Sequence, residues 1–421
     1  MSRTSETDVA IDADRVALQR RTLVTLRLAQ VPSQAAVAGM FAVVALMVNE
    51  LLDSDSLAGT GSAAFTLGSA LVSVPLSGYM RRRGRRPGLI RAWTAASAGA
   101  FIAAIGGQIG SFPVFVVGML AFGAGQAAAL QGRFVAADLA SDSERSRAIG
   151  SVVWVGTLGA AFGPLLTPWE RRVADAAGLE PLVGPFLFAA VLFAVSGAVV
   201  AVWLRPDPLE VAGLLDPHAS RVRPLRQVRT AISVVAVRPS AQLGLAAMVV
   251  SQTAMVAVMT MTPPYMKDHN HSDLSAYVIA LHIVGMYGFS PFVGRAVERI
   301  GRPKSIMVGS VILGAGTTIS VIGGYSPVLV FIGLFLLGVG WSFGLVAGST
   351  LLSESVPSAS RVEVQGAGDL LMSLCGGAAA LSSGFVKQSF GYHTLAYAGT
   401  LLAGALLVYT MSARPAVRRA A

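Results

Sequence analysis

The sequence predicts an all-α polytopic membrane protein in which twelve helices cross a lipid bilayer. Composition, twelve apolar stretches of spanning length and an uneven distribution of positive charge all support this fold class. Of the 421 residues 54% are hydrophobic and only 13% are charged, and the mean hydropathy is +0.65. Because a soluble chain of this size needs more charge to cover its surface, this composition indicates a protein that faces lipid.

The twelve predicted spans follow from length, since roughly 20 mostly apolar residues cross a hydrocarbon core of about 30 Å. The first six spans cover residues 28–51, 58–80, 89–110, 114–136, 147–168 and 184–204. The second six cover residues 241–266, 275–297, 305–325, 328–352, 363–385 and 393–411. We therefore predict an N-terminal tail (1–22), a six-helix bundle (23–204), a linker (205–240), a second six-helix bundle (241–411) and a C-terminal tail (412–421). The linker is basic and rich in proline, and it predicts one amphipathic helix lying on the membrane.

Lysine and arginine orient the spans. All but four of the 32 Lys and Arg residues lie on the side of the N-terminus, and the four exceptions are Arg171, Arg172, Lys267 and Lys387. The positive-inside rule then places both termini in the cytoplasm, which requires an even number of spans. The first 21 residues contain no apolar core, so we expect a tail and not a signal peptide. The net charge of +10 is interpreted as a topology signal, and no nucleic-acid partner is predicted. We interpret three further arginines as positive-inside anchors, namely Arg82, Arg83 and Arg86.

The two halves carry the same kind of turn after their second helix. Residues 77–87 and residues 294–304 are both short, basic segments that contain glycine. Such an internal repeat predicts two pseudo-symmetric six-helix bundles, an arrangement in which transporters hold their substrate between the halves.

The turn in the second half resembles the G-x-x-x-[DE]-R-x-G-R signature of the major facilitator superfamily. The matching residues are Gly294, Glu298, Arg299, Gly301 and Arg302. In the first copy Ser77 replaces the leading glycine and Arg81 replaces the acidic residue, whereas Gly84 and Arg85 complete the turn. The resemblance implies that the carboxylate braces a gate at the positive N-terminal end of the eleventh helix. Because Glu363 lies at the start of that helix, we expect an inverted pair of Arg81 with Glu363.

The fifth span resembles a second family pattern, found in drug:proton antiporters. The sequence G-x8-G-x3-G-P is matched by Gly150, Gly159, Gly163 and Pro164. Glycines on one helical face let a neighbouring backbone approach closely, and the proline permits a bend. Close packing alone would also explain these residues, so the antiporter interpretation and the packing interpretation both stay open.

Ionisable side chains inside spans are costly and are therefore candidates for proton coupling. Asp369 lies about 12 Å into the eleventh span by helical rise, and His282 lies at similar depth in the eighth. Alternatively, Asp369 is neutral and bonded to Gln365, and His282 is a hydrogen-bonded packing residue. The arginine that antiporters carry in the fourth helix is replaced here by Met119, so the coupling mechanism does not follow from the resemblance. Three polar residues at span ends are expected to reach water: Asn49, Glu50 and Asp138.

The resemblance implies a substrate cavity lined by the first, fourth, seventh and tenth helices. With a neighbouring tryptophan, the candidates at mid-depth are Gln34, Gln126, Trp154, Gln252 and Trp341. Because this set lacks the arginines and lysines that phosphate esters or dicarboxylates require, we expect a neutral, lipophilic or cationic substrate.

These features predict a secondary active transporter of the bacterial inner membrane, which moves a small molecule by proton-coupled efflux. Proton-coupled uptake of a nutrient remains an alternative, as does a receptor or scaffold that has kept the fold without transporting. We expect no enzyme activity and no cofactor, since the sequence has no Walker motif. His269 and His271 lie in an outer loop without further ligands at suitable spacing, so no metal site is predicted. The expected partners are the substrate, protons and lipid, and we expect a monomer.

Overall fold

The computed structural model describes residues 2–53, 57, 59–218, 223–269, 274–322 and 326–420, and within these ranges every regular element is a helix. The first half contains α1 (Ser2–Leu52), α2 (Thr60–Arg83), α3 (Arg85–Gln108), α4 (Phe112–Asp138), α5 (Arg145–Ala176) and α6 (Gly184–Trp203), with a 3₁₀ turn at Pro181–Val183. The linker forms α7 (Pro208–Val211) and α8 (Pro224–Ala236). The second half contains α9 (Pro239–Asp268), α10 (Ser275–Ile283), a π-helical turn (Val284–Gly288), α11 (Ser290–Ile300), α12 (Arg302–Ile322), α13 (Pro327–Glu354), α14 (Ser358–Phe390) and α15 (Tyr392–Ala420).

The helices agree with the predicted spans in number and order. Nine helices of the described chain are long and apolar enough to cross a membrane, and the number rises to eleven when two bent pairs are each taken as one span. The remaining predicted span, 305–325, overlaps α12, which is 21 residues long, and its last three residues lie outside the described residues. One bent pair is the predicted eighth span, where the π-helical turn separates α10 from α11 at an angle of 40°. A π-turn shifts the hydrogen-bond register, and Pro291 at the start of α11 removes a backbone donor at the same place.

Several helices extend beyond the spans that hydropathy predicts. Helix α1 already begins at Ser2, so polar residues that were predicted as a tail continue the first span as a helix. Gln19 fixes this extension to α4, because its side-chain Nε2 donates to the carbonyl oxygen of Ala136 at 2.8 Å. Hydropathy marks where a helix leaves the hydrocarbon, whereas hydrogen bonds and capping decide where the helix ends.

Buried apolar side chains form two clusters that correspond to the two halves. One cluster is built almost entirely from α1–α6 and the other mainly from α9–α15. The second cluster also takes in Phe134, Ala137 and Ile149 from the first half, so the two halves pack directly against each other. The exact bounds of the halves, 23–204 and 241–411, stay predictions.

The halves meet through two equivalent pairs of helices. Helix α2 packs against α14, and α11 packs against α5. At the first contact a Cβ atom on Gly366 would collide with the side chain of Ser77, and at the second a Cβ atom on Gly294 would lie 2.8 Å from the carbonyl oxygen of Ser146. We call the end of the bundle that contains residues 84, 139–144, 301 and 355–357 the basic end. Both helix pairs make these contacts towards the basic end.

Candidate coupling and gating site

Arg85 is completely buried at the basic end and binds side chains from both halves. Its Nε and Nη2 atoms donate to the two carboxylate oxygens of Asp138 at 2.8 and 3.1 Å. Nη1 donates to Oε1 of Gln131 at 3.0 Å, and Nη2 also donates to Oε1 of Gln365 at 2.8 Å. A buried guanidinium is tolerated when its donors are satisfied in this way. Because Gln365 lies on α14 while the other partners lie on α4, Arg85 connects the two halves.

Asp369 on α14 is also fully buried, and its partners come from the other half. Gln131 Nε2 on α4 donates to Oδ2 of Asp369 at 2.9 Å, and Arg133 forms an ion pair with Oδ1. Arg133 in turn donates from Nε to the hydroxyl oxygen of Ser349 on α13 at 3.0 Å. Gln131 therefore joins the Arg85 group to the Asp369 group. We call the set Arg85, Gln131, Arg133, Asp138 and Asp369 the buried network.

The buried network corrects three interpretations of the sequence. Asp138 was expected to reach water, but it is 6% exposed and paired with Arg85. Arg133 was taken as a topology signal, although it is 2% exposed and paired with Asp369. The alternative partner for Asp369 was Gln365, which instead donates to Ser353 at 3.1 Å. Arg133 lies inside the predicted fourth span, so the rule that flags ionisable residues in spans would have found it.

A second contact between the halves lies closer to the surface of the basic end. Arg81 on α2 places Nη1 2.8 Å from the carboxylate of Glu363 on α14, as an inverted gate pair requires. Its Nη2 lies 3.0 Å from Asp216 in the linker. The gating role of this pair remains a prediction. The two ion pairs of Arg81 connect α2 to α14 and to the linker.

The other helix pair carries the same arrangement with the charges exchanged. Glu298 on α11 accepts hydrogen bonds from the backbone nitrogen, Nε and Nη2 of Arg147 in the first turn of α5, at 2.9, 3.0 and 2.8 Å. Nearby, Arg302 binds both carboxylate oxygens of Glu354 at 3.1 and 2.8 Å. The Arg302 contact repeats the Arg85–Asp138 geometry, so each half contributes one bidentate pair at the basic end.

The two signature turns depend on glycines in the left-handed region. Gly84 has a φ of +97° and Gly301 has a φ of +86°, which a residue with a side chain adopts only under strain. After Gly84, the carboxylate of Asp207 accepts from the backbone nitrogens of Arg85 and Arg86 at 3.1 and 2.8 Å. Arg299 of the second signature is exposed at the end of its helix.

The glycines of α5 bring it close to both halves. A Cβ atom on Gly159 or on Gly163 would collide with backbone oxygens of α1. Gly150 faces the second half, where a Cβ atom would collide with the carbonyl oxygen of Ser290. Pro164 lies inside α5, and the helix continues through it. These contacts agree with close packing, and they leave the antiporter role of the pattern as a prediction.

Two of the predicted cavity residues are in direct contact. Trp341 Nε1 donates to Oε1 of Gln252 at 2.7 Å, and Tyr287 meets the indole edge to face with ring centroids 5.5 Å apart. The Gln252 side chain also packs against Gly376 on α14. Since Gly376 follows Asp369 by seven residues, this polar and aromatic group lies about 10 Å along α14 from the buried network, in the direction away from the basic end.

The other predicted cavity residues are more dispersed. Gln34 is 9% exposed and packs against Gly156, whereas Trp154 is 42% exposed. The Oε1 atom of Gln126 is buried without a hydrogen-bond partner in the part of the chain that the structure describes. Among the described residues, no hydrogen bond joins these three side chains to Gln252 or Trp341.

His282 occupies a different environment from Asp369. Its ring is fully buried, and Nδ1 lies 2.6 Å from the carbonyl oxygen of Leu334 on α13. Among the described residues Nε2 has no hydrogen-bond partner, and His282 makes no hydrogen bond to the buried network. This geometry favours the packing interpretation, and a role in coupling stays a prediction. His271, the second loop histidine, lies outside the described residues, which contain no cluster able to hold a metal ion.

The fold and the two interfaces define a class of protein: a secondary transporter built from two similar membrane-spanning halves. The family model of the Major Facilitator Superfamily matches residues 28–380 and 273–420. Two Bacillus subtilis proteins described as uncharacterized MFS-type transporters are similar: YddS is 34% identical over 91% of this chain and 89% of its own length, and YdeG is 35% identical over 91% and 90%. The riboflavin transporter RfnT of Brucella anthropi is 30% identical over 89% of this chain and 91% of its own length. The chain belongs to the Major Facilitator Superfamily, whose members are transporters and not enzymes.

Solved structures show the same fold at low sequence identity. A bacterial homologue of the iron transporter ferroportin, in its outward-facing state, has a TM-score of 0.73 at 13% identity and covers 94% of this chain and 99% of that protein. Human MFSD10, an organic anion transporter, has a TM-score of 0.71 at 16% identity and covers the same shares. The prediction of a major facilitator fold is therefore confirmed.

Proposed function

We propose that this transporter couples its substrate to protons and exports a small neutral, lipophilic or cationic compound across the bacterial inner membrane. The basic end would face the cytoplasm, together with both termini. The main support for this proposal is the buried ion pair between Asp369 on α14 and Arg133 on α4. Because the two residues belong to different halves, the pair must break when the basic end opens. A proton on Asp369 would remove the charge that holds Arg133, which links protonation to opening.

The position of the aromatic group supports competition between substrate and proton. The present state is joined by ion pairs at the basic end, so a proton would reach Asp369 from the opposite end of the bundle. That route passes the level of Gln252 and Trp341, which lie about 10 Å from Asp369 along α14. A substrate bound at this level would lie between Asp369 and the opposite end. Exclusive occupancy by substrate or proton is the condition for antiport.

The chemistry of the same group supports an uncharged, planar substrate. Trp341 and Tyr287 offer aromatic faces, and Gln252 offers an amide for hydrogen bonding. Riboflavin, which the Brucella relative is named for transporting, is an uncharged molecule with a flat heteroaromatic ring. The second candidate function is proton-coupled uptake of a nutrient, and this relative makes a flavin the nutrient to test.

Proton movement in proteoliposomes tests the proposal. The vesicles would hold an acid interior and a pH dye, and riboflavin and a panel of lipophilic antibiotics and dyes would be added outside. Antiport predicts that a substrate discharges the gradient, and that Asp369→Asn abolishes the discharge. Asp268→Asn is the matched control, since Asp268 is 55% exposed and pairs with Lys387 at the opposite end; this variant should transport normally.

Three results would contradict the proposal. Proton entry together with a compound, seen with an acid exterior, would establish symport and the uptake alternative. Normal proton flux in Asp369→Asn would remove Asp369 from coupling. No flux with any compound, from protein shown to be folded, would favour a uniporter or a member that has lost transport.

A further inference from the structure

Helix α8 in the linker carries one buried face that packs across the two halves. The buried residues Gln227, Ala231 and Val235 follow each other at intervals of four, as one face of a helix requires. This face packs on α14, α2 and α9, and the Gln227 side chain lies against Gly78 of α2. The buried face therefore accounts for the position of α8, and the rest of the helix surface is free to contact something else.

The exposed surface of α8 begins with an apolar edge. Leu225 is 86% exposed and Ile232 is 46% exposed. At 100° per residue the two side chains are only about 20° apart around the helix axis, and Ala236 continues the same line. An exposed leucine of this kind gains free energy by leaving water, so covering the edge with an apolar partner is favourable.

A basic stripe runs beside the apolar edge. It consists of Arg226 and the three residues that follow it at intervals of three, four and seven, namely Arg229, Thr230 and Ser233. A cavity of about 520 Å³ extends along these residues and Leu225. In the described chain neither arginine forms an ion pair with an acidic side chain, and residues 217–238 contain no aspartate or glutamate. The Ser233 hydroxyl donates to the carbonyl oxygen of Thr230 at 2.8 Å. The two guanidinium groups and the Thr230 hydroxyl are donors of the kind that bind phosphate oxygens.

The covalent connection keeps α8 at the membrane surface. Helix α9, which is long and apolar enough to span, begins at Pro239, three residues after α8 ends at Ala236. The short connection holds α8 close to the level at which α9 enters the bilayer, so lipid is within reach of the apolar edge. A water-soluble anion would contact the basic stripe but would leave Leu225 and Ile232 exposed, whereas a phospholipid covers both surfaces at once.

We propose that α8 lies in the interface of the leaflet at the basic end and binds an anionic phospholipid. The phosphate group is held by Arg226, Arg229 and the Thr230 hydroxyl, and the acyl chains run along Leu225 and Ile232. Because the opposite face of α8 bridges α2 and α14, the bound lipid contacts the same assembly that Arg81 and Glu363 join. Interfacial helices with this separation of basic and apolar residues are a recognised mode of lipid binding.

Quenching by brominated lipids tests the site. A fluorophore is attached to Ala236→Cys in the Cys375→Ser background, and the protein is placed in bilayers that contain brominated phosphatidylglycerol or brominated phosphatidylcholine. We expect phosphatidylglycerol to be preferred, by up to about fivefold for each arginine near the surface. Arg226→Gln with Arg229→Gln should bring the preference close to one.

The control removes the same charge elsewhere. Arg15 and Arg20 are exposed on α1, more than ten and about eight residues before its predicted span, and Arg15→Gln with Arg20→Gln should keep the full preference. Equal losses in the two double variants would overturn the proposal, because they would reveal a general surface-charge effect. A fluorophore that neither lipid quenches would also overturn it, since α8 would then stand away from the bilayer.

Discussion

Removing Arg133 should shift the protein towards a state that is open at the basic end. The substitution Arg133→Gln leaves the buried carboxylate of Asp369 without its cation, and such a loss costs about 3–5 kcal/mol. The low end applies, because Gln131 still donates to the carboxylate at 2.9 Å. Since opening relieves this cost by exposing Asp369 to water, about 3 kcal/mol corresponds to a shift of about 100-fold in the ratio of closed to open protein.

Pulsed EPR distances across the basic end measure this ratio. Spin labels on Arg83→Cys of α2 and Ser358→Cys of α14, both exposed, would be attached in the Cys375→Ser background. Arg133→Gln should add a population with a longer distance. Combining it with Asp369→Asn removes the stranded charge, so the double variant should recover most of the closed population.

An ion pair between the halves whose arginine is exposed serves as the matched control. The side chain of Arg147 is 52% exposed and that of Glu298 is 8% exposed. The backbone nitrogen of residue 147 still donates to Glu298 after the substitution, so Arg147→Gln should cost less than Arg133→Gln. If Arg133→Gln moved the distance distribution no further than Arg147→Gln, the buried pair would not hold the halves together. Additive effects of Arg133→Gln and Asp369→Asn would lead to the same conclusion.

Three further predictions concern the gate, α5 and the aromatic group. Reversing Arg81 to Glu should open the basic end, and adding Glu363→Arg should restore the closed distance measured by EPR; failure of the restoration would remove the pair from the gate. Gly163→Ala should lower the melting temperature of the purified protein, at a cost of about 1–3 kcal/mol, because its Cβ would collide with α1. Gly384→Ala, where nothing lies within 4 Å of the added atom, is the control and should leave the melting temperature unchanged. Trp341→Phe removes the donor to Gln252 and should weaken substrate binding in a transport assay, because the half-buried amide is no longer held in position; unchanged affinity would place the substrate elsewhere.

The pseudo-symmetry of the ion pairs between the halves could be predicted only in part. The sequence shows two related turns, and the second matches the family signature at Glu298 and Arg302. It also suggests that Arg81 pairs with Glu363, because the two charges are opposite and lie at helix ends that the family brings together. It does not reveal that Arg147 is the partner of Glu298, since no local pattern distinguishes an arginine that pairs across the halves from any other loop arginine.

The position of an ionisable residue within a predicted span indicated that its side chain is buried, but it did not indicate which side chain it pairs with. Asp369 and Arg133 both lie inside predicted spans, where an ionisable group is a candidate for function. Which of them meet depends on the rotation of each helix and on the pairing of α4 with α14, and neither has a signature in a single sequence. Asp138 shows the same limit, because a residue at the end of a span faces water or protein according to what packs over it.

The sequence by itself determined the membrane class, the number and order of the spans and the division into two similar halves. These properties follow from hydropathy, charge and repetition along the chain, which are all one-dimensional. Tertiary structure alone decided that Arg85, Gln131, Arg133, Asp138 and Asp369 form one buried network. Side chains more than two hundred residues apart meet only after both halves have packed, and the free energy of that packing selects which helical faces point inward.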